Sequence, residues 1–207
     1  MSKLYFYTPT TLDEAFIFTM GASVKEGSNP IGEFGTGLKY AIAVTLRLGG
    51  KIKIETNEAF YDFYYRAQQV RNTSLDMIYC DKKYADGRNS TMIRLPMTTQ
   101  YGKTWEPWMV MRELYSNTKD ENGIVWDREE LVEKDLHENW TLITVEHDEI
   151  YDAWQTRNGY ILNTAIPAKY NSPIFEVYQR ASSAFFYKGI RVSSTPIISK
   201  LTYNILS

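Results

Sequence analysis

The chain is poor in the residues that staple small folds together. It holds one cysteine, Cys80, in 207 residues, so no internal disulfide can form and a four-cysteine zinc site is excluded. Two histidines, His137 and His147, leave little for other metal centres. Charge of either sign is not in excess: 23 Lys and Arg stand against 25 Asp and Glu. That balance argues against a nucleic-acid binder working by bulk charge, so nucleic acid is not expected as a partner. No apolar run approaches the ~20 residues of a membrane span, and no apolar leader opens the chain. The expectation is a cytoplasmic protein with no membrane partner.

Aromatic residues are what it has in plenty: 16 Tyr, 9 Phe and 5 Trp. They suit a sheet-rich α/β or α+β domain with large side chains in its core. A length of 207 residues is about one domain and can bury roughly 70% of its unfolded surface. The reading is a single domain over 1–207.

Periodicity sets out the elements. Residues 3–7 read as a short strand, and a helix is expected over about 12–20 with Thr11 as N-cap and Glu14 three residues on. Residues 21–37 are rich in glycine and read as a functional loop. An apolar helix follows over Leu38–Leu48, stopped by Gly49-Gly50. Strands are expected over 51–56, 61–71, 76–80 and 90–97, then a helix over Trp105–Thr118 with Pro107 in its first turn. Residues 124–139 read as charged and peripheral. Thr141–Val145 reads as a strand, a short helix follows from about Ile150, and Phe185–Val192 reads as a strand or hairpin turning at Gly189.

Two constellations carry chemistry. The first is Ile31-Gly32-Glu33-Phe34-Gly35-Thr36-Gly37-Leu38-Lys39, set before the apolar helix. Glycines at 32, 35 and 37 let backbone approach a ligand closely. The helix start then offers unpaired N–H groups and a positive dipole end, the recipe for a phosphate site. Lys39 adds charge in the first turn, and Lys25 adds another across the loop. The stretch is not a Walker loop, because no Gly-Lys-Ser/Thr follows, and no strand leads into it as a dinucleotide fingerprint requires.

The second constellation is Arg112-Glu113-Leu114-Tyr115-Ser116-Asn117-Thr118-Lys119-Asp120-Glu121. Glu113, Asn117 and Asp120 are spaced i, i+4 and i+7 and share a helix face. The amide oxygen of Asn117 suits a hard cation such as Mg2+, and the carboxylate of Glu113 can orient or deprotonate a water. Cys80, at the end of an apolar run, reads as a packed thiol rather than a nucleophile.

Taken together, Glu-x-x-x-Asn-x-x-Asp on one helix and Gly-x-x-Gly-x-Gly-Leu-Lys before another resemble the GHKL ATPases. This is the Bergerat-fold superfamily of gyrase, the ninety-kilodalton heat-shock chaperones, histidine kinases and MutL. Ile31–Gly37 looks most like the chaperone glycine box, Gly21-x-Ser23-x-Lys25 resembles a stretch of the family's ATP lid, and Arg112–Glu121 resembles its N-box. The order is reversed relative to the family, so the chain looks circularly permuted.

The resemblance implies a Bergerat-type two-layer α/β sandwich, a mixed β-sheet with helices on one face. It implies an ATP-binding protein, with weak Mg2+-dependent hydrolysis as the activity the pattern allows. Glu113 would be the general base and Asn117 the Mg2+ ligand. Gly32, Gly35, Thr36 and Gly37, with Lys39 and Lys25, would cradle the phosphates. Asp120 and Asp148 are further nucleotide-site candidates, Asp148 for the adenine although no glycine follows it. The family's second domain has no room here, so turnover would depend on a protein partner or self-association. The competing reading is a non-enzymatic interaction or inhibitor protein, for example phage-encoded, that uses a GHKL-like scaffold to hold a protein partner.

Overall fold

The computed structural model describes residues 2–19, 36–128, 138–163 and 166–207. They form two compact units, one reaching to Ala153 and the other running from Trp154 to Ser207, where the sequence suggests one domain. The class is mixed α+β, as expected, with two sheets and four α-helices.

The first unit is built on seven strands: β1 (Lys3–Thr8), β2 (Lys51–Thr56), β3 (Ala59–Val70), β4 (Thr73–Tyr84), β5 (Thr91–Thr98), β6 (Ile124–Trp126) and β7 (Thr141–Glu146). Their order is β5-β4-β3-β2-β7-β1-β6, and every neighbouring pair is antiparallel. Alternation explains β2: in Lys-Ile-Lys-Ile-Glu-Thr the residues Ile52, Ile54 and Thr56 are buried and the others are not. β1 differs, since Leu4 through Thr8 are all buried, so both of its faces are covered.

The four helices are α1 (Glu14–Phe18), α2 (Gly37–Arg47), α3 (Pro107–Asp120) and α4 (Asp148–Gln155), the division between units falling within α4. α2 and α3 pack on each other and over the sheet. α2 buries Ala41 through Leu46, which makes it a core helix in the middle of the unit. α1 starts later than expected. Asp13, not Thr11, is its N-cap, accepting the Ala15 N–H at 2.8 Å. Thr11 instead donates to the Asn57 side chain at 2.7 Å, a tertiary bond that outweighs the local capping signal.

The second unit holds β8 (Tyr170–Asn171), β9 (Phe175–Tyr178), β10 (Ser182–Tyr187), β11 (Ile190–Ser199) and β12 (Thr202–Ile205), ordered β11-β10-β12-β9-β8. β10 and β12 run parallel. The turn expected at Gly189 is there: Lys188 has φ 50 and Gly189 φ 80, the two positive angles of a tight hairpin. Leu162, Tyr178 and Phe186 form its core.

Candidate functional site

α2 carries no acidic residue in its first turn, and Thr36 at its N-cap makes no side-chain capping bond. A helix start leaves N–H groups without intrahelical acceptors and a partial positive charge. The carboxylate of Glu113 is seated there. A Cβ built on Gly37 would lie 1.7 Å from Glu113 Oε1 and 2.1 Å from Cδ. Gly37 has no left-handed φ, so it is glycine for space: any side chain would evict the carboxylate. The two constellations, far apart in sequence, therefore meet at this contact.

Local chemistry on α3 aims the pair. Ser116 Oγ and Thr118 Oγ1 donate back to the Arg112 and Leu114 carbonyls, each at 2.8 Å. That satisfies both hydroxyls and lets them be buried with Val110, Met111 and Leu114. Glu113 and Asn117, beside that buried face, are only half-buried. Asn117 Nδ2 donates to Glu113 Oε1 at 3.2 Å, so the amide oxygen is the branch turned away from the carboxylate. Arg112 lies over the Trp108 ring at 5.3 Å. Burial lowers its pKa, and the neighbouring Glu113 opposes that shift. Asp120 ends the same helix, where a negative charge faces the unfavourable end of the dipole.

Lys39 does not project from the helix start. Its side chain is in the core, 1% exposed, and Nζ donates to the Phe16 carbonyl at 2.5 Å. Burial lowers its pKa. The expectation that Lys39 reaches phosphate is corrected in this respect: the stem runs inward because Ala41–Leu46 draw the helix into the core, and the ammonium finds its acceptor on α1. Thr36 and Gly37 stand at the start of α2 as expected. Lys25, Gly32 and Gly35 lie outside the described residues.

Asp148 is placed elsewhere. Its Oδ1 accepts the Ser2 N–H at 2.8 Å, and it opens α4. The Ser2 backbone bond, working against a small burial cost and aided by the terminal ammonium, Ser2 and His147, holds its carboxyl below the usual range. Gly50, just past the C-terminal end of α2, would with a Cβ meet Glu146 O at 2.8 Å and His147 Cβ at 3.0 Å. Asp148 thus neighbours the far end of α2, roughly 15 Å along the helix from Gly37 at 1.5 Å per residue. The structure does not bring it to Glu113 and Asn117. Its carboxylate is engaged by the Ser2 N–H.

A polar cluster escaped the sequence reading. Thr8, Thr141 and Thr56 lie side by side in register at one end of the adjacent strands β1, β7 and β2. Thr141 Oγ1 accepts the Leu12 N–H at 2.8 Å and donates to Thr10 O at 2.7 Å. Thr10 in turn bonds to Glu121, next to the end of α3. The signal was available: two six-residue strands, Lys-Leu-Tyr-Phe-Tyr-Thr and Lys-Ile-Lys-Ile-Glu-Thr, both end in threonine.

Among the described residues no group of three or more His, Cys, Asp or Glu is arranged to hold a metal. Cys80 is buried, and burial first, with Asp81 and Asp62 adding, pushes its thiol up to about 12, which removes thiolate chemistry at neutral pH. No helix among the described residues is long and apolar enough to cross a membrane. No protein-family model, no curated protein and no solved structure matches the chain.

Proposed function

We propose that the chain binds ATP with Mg2+ at the start of α2, with slow hydrolysis as its activity. The observation that carries this reading is the contact of Gly37 with the Glu113 carboxylate. It joins a glycine-rich helix start to a carboxylate–amide pair, which is what phosphoryl transfer to water requires. In this reading the backbone of Gly32, Gly35, Thr36 and Gly37, with Lys25, takes the phosphate oxygens. Glu113 orients and deprotonates the attacking water, and Asp120 is a lower-ranked neighbour of the nucleotide. Asn117, one helical turn from Glu113, supplies a hard oxygen donor to Mg2+. A few protein oxygens suffice for Mg2+, which takes its remaining ligands from phosphate and water. The ion would neutralise charge on the phosphates, the main electrostatic term in such a site.

The test is thermal unfolding of the full chain with and without Mg-ATP. Ligand at 100 times its dissociation constant adds about 2.7 kcal/mol, a shift of a few degrees in a chain of this size. The shift is expected to need Mg2+ and to vanish in Asn117→Ala. Glu113→Ala should keep the shift and lose phosphate release. No shift at millimolar nucleotide would end the reading, and undiminished turnover in Glu113→Ala would remove that residue from the base role.

The second reading, a protein-binding scaffold, is favoured by a different observation. Phe175, Phe185, Tyr203 and Ile205, 36–45% exposed, line an open apolar face of the five-stranded sheet. Pull-down of a partner that survives Asn117→Ala and fails in Phe185→Ser would support it over nucleotide chemistry.

A further inference from the structure

α1 has five residues, too few to hold a helical shape without tertiary anchors. Three anchors are visible. Ile17 is fully buried. Glu14 is paired with Lys82 and accepts the Tyr61 hydroxyl at 2.8 Å. The third is the bond from Lys39 to Phe16 O. Phe16 lies in the last turn of α1, where carbonyls lack intrahelical donors and the dipole is negative. α1 has no basic residue of its own in that turn. Lys39 supplies the missing cation from the first turn of another helix.

The position of this bond is what gives it consequence. α1 ends at Phe18 and α2 begins at Gly37, so the two ends of this bond flank the glycine-rich stretch of the sequence. We propose that Lys39 is a positioning residue: its ammonium pins the end of α1 to the start of α2, fixing the two flanks of that stretch against each other, and it acts on bound phosphate only through them. A buried ammonium must stay hydrogen-bonded, and one that is 1% exposed is held in the core rather than offered to a ligand. The link to phosphate rests on the nucleotide reading above; the pin itself does not.

Hydrogen exchange on the full chain separates the two. Without nucleotide, Lys39→Met is expected to speed exchange of the α1 amides, such as Thr19 N–H on Ala15 O at 2.9 Å, about ten-fold or more. That is the scale of one charge-assisted hydrogen bond. Lys39→Arg, which keeps a donor, should restore protection. Mg-ATP affinity should fall and recover in step with α1 protection across the variants. Unchanged α1 exchange in Lys39→Met, with weakened Mg-ATP binding, would make Lys39 a direct phosphate ligand and overturn the proposal. Absence of Mg-ATP binding by the wild-type chain would sink the nucleotide reading while the exchange result still decides the pin. If Lys39→Met does not fold, Lys39→Gln is read in the same way, and unchanged α1 exchange there also overturns it.

Discussion

The two sheets of this protein treat aromatic and aliphatic side chains in opposite ways. In the seven-stranded sheet Leu4, Phe6, Ile52, Ile54 and Leu142 are at most 1% exposed, because helices cover one face and β1 is covered on both. In the five-stranded sheet one face packs Tyr178 and Phe186 inward, while Phe185 at 38% and Ile205 at 45% exposure stand on the other. The share of hydrophobic residues is similar in the two regions, so hydrophobicity alone does not decide burial. The difference is the presence of α2 and α3. The candidate site lies on those same helices, where packing holds Glu113 and Asn117 to a fixed geometry. The open face offers area and no arranged chemistry, which is the profile of a contact surface.

The largest test of this contrast is a pair of truncations. Ile42→Ala, from the fully buried row of α2, should cost about 2–5 kcal/mol of stability in chemical denaturation. Phe185→Ser should cost less than about 1 kcal/mol and lower the binding of a hydrophobic dye. Equal losses would show that the outer face is part of a core.

The next test asks what holds the second unit, given its small core. Asn204, 1% exposed, accepts the Gly189 N–H at 2.7 Å and donates to Glu176 at 2.8 Å. Glu176 also takes the Tyr178 hydroxyl. Asn204→Ala strands those partners and should cost about 1–3 kcal/mol, read from exchange of the β10 and β12 amides. Protection unchanged in those strands would show that apolar packing suffices there.

The smallest expected effect is acid sensitivity of α1. Burial raises the Glu14 pKa, but bonds from Lys82 and Tyr61 outweigh it and leave it below the ordinary value of 4.5. A depressed carboxyl stabilises the fold above its unfolded pKa and loses that contribution as pH falls through the folded value. The pair is partly exposed, so the loss should be a few tenths to about 1 kcal/mol. It should appear below about pH 4.5 as lower α1 protection relative to the intrinsic exchange rate, and Glu14→Gln should remove the pH dependence. A variant with the same acid sensitivity would place its source in another group.

Periodic segments were legible because their reasons are local. Lys51–Thr56 alternates, and the structure has that strand over the same residues. Pro107 opens α3, and Gly49-Gly50 closes α2. The short strands are not legible in this way: Ile124–Trp126 pairs with β1 in a stretch that reads as peripheral, and the sequence suggests no element at β8, β9 or β12, since two to four residues are too few to show a period. Of the site, the Glu113–Asn117 bond was legible from i, i+4 spacing. The inward path of Lys39 was not, because a lysine in a first helical turn carries no local sign that a carbonyl of another helix awaits it. The place of Asp148 was not legible for a related reason, since distance along α2 from Gly37 is a property of packing.

By itself the sequence determined the class, the approximate place of the longer elements of the first unit, the packed thiol at Cys80 and the helix face bearing Glu113 and Asn117. Each follows from spacing, turn residues or composition within a short window. Only the tertiary structure decided that Gly37 and Glu113 touch, that Lys39 serves α1, that Asp148 accepts the Ser2 N–H, and that one sheet has a face left open. Those outcomes depend on which elements lie against which, and residues distant in the chain settle that by burying their shared surface.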